Sequence, residues 1–304
     1  MKAKFTGHET FPLRYGWLQK SVNQLNNKGN FSISTDEGVR DAVIELGVGK
    51  NMVSAIRYWA ESSAVINLEA QAVTKEGNYL FGEEGRDRYL EHLGSVWLLH
   101  FWLNFNYSSL TGYRYYFNFS NAQHFQKPKL VDDCIDQAGS ICSGSLPNEK
   151  TVKKDIDCFL NTYCHKQTAT KKKGSINEDH FSSPLSELNL VQDNGGGYYV
   201  CDLVERPDLP IEIFMYGLLK FVKMETGESK SKTIGFESLL TKPCSPGRIF
   251  RLSESGLGQK LDEAQLYKGS GISWTDSEGL RQIAFEESSL INPEHFLDIY
   301  YKGS

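Results

Sequence analysis

Residues 35–60 read TDEGVRDAVIELGVGKNMVSAIRYWA. Thr35 is an N-cap residue ahead of Asp36 and Glu37, whose carboxylates suit the positive end of a helix dipole. Val39, Ala42, Val43 and Leu46 then fall at i, i+3, i+4 and i+7, the stripe of an amphipathic helix. Gly47-Val48-Gly49 breaks that helix, and a second one follows with Val53, Ile56 and Ala60 inward. Helix, glycine-containing turn, helix is the helix-turn-helix pattern, whose second helix offers its first residues to base edges in the major groove. The residues so placed are Lys50, Asn51, Ser54 and Arg57, which hydrogen-bond phosphates or base edges and include no acid. An ordinary helical hairpin with a solvated basic face fits the same spacing. Val65-Ile66 and Ala72-Val73-Thr74 are strand-like and would supply a β-hairpin wing.

Upstream, FTGHETFPLRYGWLQK (Phe5 to Lys20) is punctuated by Gly7 and Pro12, and Leu13 to Leu25 then has a helical pattern. Downstream, Arg86 to Leu103 is the longest helical pattern, and Asn104 to Phe119 is crowded with Tyr and Phe around Arg114. That aromatic run is read as packing, with a base-stacking surface as the alternative.

The composition shifts at Gln126-Lys127-Pro128-Lys129, which places a boundary between domains 1–126 and 127–304. Beyond it, Asn148 can cap a helix whose inward residues are Val152, Ile156, Phe159, Leu160 and Tyr163. Its outward side carries Lys150, Thr151, Lys153, Lys154 and Asn161, a second and more basic helix-turn-helix candidate. A polar stretch with Lys171, Lys172 and Lys173 follows, either a solvated loop or a phosphate contact. Leu190 to Gln192 and Tyr198 to Val200 flank Asp193-Asn194-Gly195-Gly196-Gly197, a strong hairpin signal. A short helix at 184–188 followed by a tight hairpin is the winged-helix arrangement. Pro210 to Glu225 has the pattern of an apolar helix, Arg248 to Leu252 that of a strand, Ser253 can cap a helix through Leu266, and Pro293 to Tyr301 closes the chain as a helix. The expected fold is mainly α with small β-hairpins, an α+β chain of winged-helix and helix-turn-helix-like units in two domains.

The 304 residues carry a formal net charge of −5, which argues against a protein that coats nucleic acid indiscriminately. The distribution says more than the sum. Residues 1–60 hold eight Lys or Arg against five acids, and residues 150–175 hold seven against two. Both basic stretches coincide with the helix-turn-helix patterns. No leader with an apolar core opens the chain, and no stretch is long and apolar enough for a membrane span, so a cytoplasmic protein is expected. Its six cysteines form no C-x-x-C pair and read as buried free thiols rather than zinc ligands.

No P-loop or strand-linked G-x-G-x-x-G occurs, so neither a nucleotide nor a flavin cofactor is expected. Pro207-Asp208 with Glu228-Ser229-Lys230 is a literal PD…ExK string, but it falls in a hydrophilic linker rather than on a core strand. His8, Glu9 and Arg14 form a tighter set: a general base or ligand, a carboxylate for a metal such as Mg2+, and a phosphate-binding guanidinium. The alternative is structural, with Glu9 or Thr10 capping the next helix and Arg14 paired to Glu9.

The opening FTGHETFPLRYGWLQK resembles the start of a bacterial family that includes the SspB-like components of Ssp DNA phosphorothioation systems. TVKKDIDCFLNTY (Thr151 to Tyr163), SPLSELNLV (Ser183 to Val191) and SPGRIFRLSESGL (Ser245 to Leu257) extend the resemblance over nearly the whole chain. It implies a protein that nicks one strand of double-stranded DNA, so that partners can replace a non-bridging phosphate oxygen by sulfur. The implied partners are a cysteine desulfurase, a PAPS-reductase-like ATP pyrophosphatase and an ATPase, and a homodimer is compatible with the reading. His8, Glu9 and Arg14 lie in the matched opening and are the candidate catalytic residues.

Overall fold

A computed structural model describes residues 1–105, 109–165, 182–227, 233–277, 279–286 and 292–303. Lys171, Lys172, Lys173 and the Glu228-Ser229-Lys230 string lie outside the described residues. The chain forms two compact units, Met1–Tyr116 with Asn121–Cys201, and Phe117–Ser120 with Asp202–Ser304. The compositional boundary at 126/127 is therefore not where the chain divides. Lys127 and Pro128 open a helix instead, and Phe125 stacks on Tyr199 within the first unit.

In the first unit a short strand β1 (Lys2–Ala3) pairs in parallel with β4 (Ser109–Leu110). Helix α1 covers Trp17–Lys28. It begins later than the periodicity of Leu13 to Leu25 suggests, because Gly16 takes a left-handed φ of 76° immediately before it. Helix α2 (Asp36–Leu46) starts as its cap requires: the Thr35 side chain accepts from the Gly38 amide, and Gly47 ends it in the left-handed region. Helix α3 (Lys50–Ser62) follows, and then the antiparallel hairpin β2 (Ile66–Asn67) and β3 (Ala72–Val73). Thr74 caps α4 (Lys75–Phe81).

The long helix expected from Arg86 starts instead at Leu93, giving α5 (Leu93–Phe105). Two features hold the preceding residues out of it. Leu90 sits at φ 58°, and both carboxylate oxygens of Asp87 accept amides, from Glu91 and His92. Helix α5 is buried from Gly94 to Asn104, which explains why it is apolar on every side. The aromatic run is packing: in α6 (Gly112–Phe119) Tyr113, Tyr115, Tyr116 and Phe117 are core, and buried Arg114 gives hydrogen bonds to the carbonyls of Ser62, Leu103 and Ser109.

Strand β5 (His124–Gln126) then leads into α7 (Lys127–Ile141), and Asn148 caps α8 (Glu149–Tyr163) through the Lys150 amide. A 3-10 turn at Pro184–Leu188, capped by Ser183, precedes β6 (Gln192–Asp193) and β7 (Tyr198–Val200). The strands lie in the order β5-β7-β6, both pairs antiparallel. Gly195, Gly196 and Gly197 all have positive φ, which is what the three-glycine turn is for.

The second unit contains α9 (Ile211–Thr226), β8 (Thr233–Gly235), α10 (Phe236–Thr241), α11 (Pro246–Ile249), α12 (Glu254–Leu266), β9 (Ile272–Ser277), β10 (Leu280–Phe285) and α13 (Glu294–Gly303). The strand read over Arg248 to Leu252 is instead the end of α11 and the turn after it. Ser245 caps α11 by accepting from Arg248, and Pro246 occupies its first turn. Ser253 does cap α12. The sheet order is β8-β10-β9, the same order of first, third and second strand as in β5-β7-β6.

Candidate nucleic-acid interface

Gly49, with extended backbone, feeds α3 so that its first turn stands clear of the core. Val53, Ala55, Ile56, Tyr58, Trp59 and Ala60 bury the inner face, while Lys50 and Asn51 are exposed and Ser54 is half-buried. Arg57 is less available than its spacing suggested. Its guanidinium lies over the Phe31 ring at 5.7 Å, and burial pulls its pKa below the ordinary value against an opposing effect from Glu61.

On α8 the division is sharper. Val152, Ile156, Phe159, Leu160 and Tyr163 are core, and Lys150, Lys153, Lys154 and Asn161 are exposed, with Thr151 half-buried. Among the described residues no carboxylate pairs with Lys50, Lys150, Lys153 or Lys154. The nearby acid Asp157 is engaged by Lys127 at 2.8 Å. Four ammonium groups on two helix N-terminal halves thus keep their charge available to an external anion.

His8, Glu9 and Arg14 make no hydrogen bond or ion pair with one another. His8 is buried: its Nδ1 accepts the Thr10 amide at 3.0 Å, and its Nε2 lies 3.0 Å from Asp155 Oδ1. An amide donated to Nδ1 fixes the neutral tautomer with Nε2–H donating to the carboxylate. Neither nitrogen remains for a metal or a water. Glu9 is exposed, and Arg14 lies against the rings of Phe11 and Trp17, 5.7 and 5.5 Å from their centroids. Sequence reasoning missed Asp155. The signal was present, since an acid three residues after Val152 falls on the inward stripe of α8.

Among the described residues no three His, Cys, Asp or Glu side chains come together, so they form no protein cage for a magnesium ion. In the second unit, three acids of helix α12 are engaged within that unit. Glu254 pairs with Arg281, Glu263 with Lys260, and Asp262 accepts from the Trp274 indole at 2.8 Å.

A family model described as a protein of unknown function, DUF4007, matches residues 5–301. No curated protein matches the chain. Two crystal structures of SspB, each 28% identical, cover 97% of this chain and 87% of their own. The magnesium-ion-bound one superposes with a TM-score of 0.79 and the other with 0.77.

Proposed function

The chain belongs to the DUF4007 family of unknown function and is similar to SspB throughout, and on that premise we propose that it is the double-stranded-DNA-engaging component of a phosphorothioation system. The observation that carries this reading is the set of exposed, unpaired lysines at 50, 150, 153 and 154. Helix α3 with the β2–β3 hairpin, and α8 with the β5-β7-β6 sheet, are winged-helix modules in this account, and each directs a helix N-terminus at the backbone. Helix α12 closes a third module that takes no part in DNA contact. Sulfur-transfer enzymes, the cysteine desulfurase and the ATP-pyrophosphatase among them, act on the DNA so held.

Strand nicking belongs to this proposal through the resemblance to SspB, one of whose structures holds magnesium. Delivery of partners without cutting is the second reading, favoured by the full engagement of His8 and by the packing of Arg14 on Phe11 and Trp17. Purified protein is incubated with supercoiled plasmid and Mg2+, with and without chelator. Open circles formed only with free Mg2+ establish nicking. Closed circles in every lane, beside a salt-sensitive gel shift, establish the adaptor.

A further inference from the structure

We propose that the opening segment Gly7–Phe11 is a strut that joins α3 and α8 into one DNA-gripping body, with His8 as its positioning residue; this rests on the DNA-binding reading above. Two groups of the segment each reach both helices. The His8 ring meets Tyr58 of α3 edge-on, with centroids 5.3 Å apart at 77°, and hydrogen-bonds Asp155 of α8. The Phe11 carbonyl accepts from the Trp59 indole of α3 at 3.0 Å and from the Cys158 thiol of α8 at 3.3 Å. Tyr58 and Trp59 are adjacent on one helix, and Asp155 and Cys158 are one turn apart on the other, so the two ties lie side by side.

The backbone of the segment is shaped for this place. Gly7 has φ +115°, and a Cβ there would lie 2.7 Å from the Tyr58 ring. Glu9 and Thr10 are both left-handed, at φ 49° and 65°, which brings the Thr10 amide onto His8 Nδ1. Strain of this kind persists only where the surroundings over-determine it. Asp155 is itself held, since its Oδ2 accepts the Gly112 amide at 2.5 Å.

The consequence is functional. Lys50 projects from the start of α3, and Lys150, Lys153 and Lys154 from the start of α8. Two weak phosphate-binding ends on a rigid body engage one duplex together, and the second engagement is then intramolecular. An unlinked pair engages one end at a time and neutralises fewer phosphates.

The test is DNA affinity against salt by fluorescence anisotropy, on a duplex longer than one helical turn, for the full chain and for His8→Ala and His8→Gln. His8→Ala removes no charge, yet it is expected to lower affinity about tenfold or more and to flatten the salt dependence. His8→Gln restores both, because its amide N–H can donate to Asp155. A folded His8→Ala protein with wild-type affinity and slope overturns the strut and leaves the DNA-binding reading standing. Absence of salt-dependent binding by the wild type sinks both. Should His8→Ala fail to fold, the pair Trp59→Phe with Cys158→Ala, which removes both donors to the Phe11 carbonyl, decides by the same two readouts.

Discussion

Asp155 shows what a single buried carboxylate asks of its neighbours. It is 2% exposed, and its two oxygens are taken by the His8 imidazole and the Gly112 amide. Replacing His8 by Ala strands that charge, whereas replacing Asp155 by Ala strands only neutral groups. Leaving a buried carboxylate oxygen without its hydrogen-bond donor costs about 1–3 kcal/mol or more, so His8→Ala should destabilise more than Asp155→Ala in urea titrations. The opposite ranking would mean that the carboxylate is not the group being compensated. The thiols give a second residue-scale expectation. Burial pushes the Cys164 thiol up to about 12 and raises Cys134 and Cys158 above their ordinary range as well. Thiolate is the reactive form, so these three should stay unmodified near neutral pH while half-buried Cys142 is alkylated first. Mass spectrometry of partly alkylated native protein reads the order, and equal rates at all four would contradict it. The His8–Asp155 contact spans 147 positions, and nothing in either local pattern names its partner.

At the scale of elements, what local chemistry determines was legible. Thr35, Asn148 and Ser253 were each readable as cap residues, and each accepts an amide at the start of its helix. The departures came where local turns and side-chain hydrogen bonds overruled periodicity. Asp87 and the left-handed Leu90 hold 86–92 out of α5, and the Pro246 turn of α11 displaces an expected strand. The β9–β10 hairpin was not read at all, although Trp274 and Thr275 lie ahead of a glycine at φ 88°. The β10 sequence LRQIAF has no strict apolar-polar alternation, so periodicity did not mark the pair. One junction offers a direct check. Gly77 lies so close to the Val65 carbonyl that an added Cβ would fall 2.0 Å from the oxygen. Gly77→Ala should therefore force α4 away from the β2–β3 hairpin and cost about 1–3 kcal/mol in chemical denaturation. A variant as stable as the parent would show that the close approach is not required.

For the whole molecule, the sum of charges conceals the feature that matters. The chain is acidic at −5, yet four exposed, unpaired lysines stand on the starts of α3 and α8, while Glu254 and Glu263 of α12 are paired. A charge reading averaged over 304 residues points away from DNA, and α8 itself sums to zero; what points toward DNA is the exposed placement of Lys50, Lys150, Lys153 and Lys154 at the helix starts. No described helix is long and apolar enough to cross a membrane. The two compact units divide near residue 201, a point no compositional shift marks, because the 124–200 segment completes its sheet and its helix packing within the first unit. The measurement that bears most directly on all of this is the salt dependence of duplex binding by the wild type and by Lys153→Glu/Lys154→Glu, with Gln259→Ala on exposed α12 as the control. Phosphate contacts release counterions, so log affinity should fall linearly with log salt, and loss of two contacts should reduce the slope by about 1.8. The account predicts that shallower slope for the double variant and an unchanged one for Gln259→Ala. A double variant that binds with the wild-type affinity and slope would contradict it.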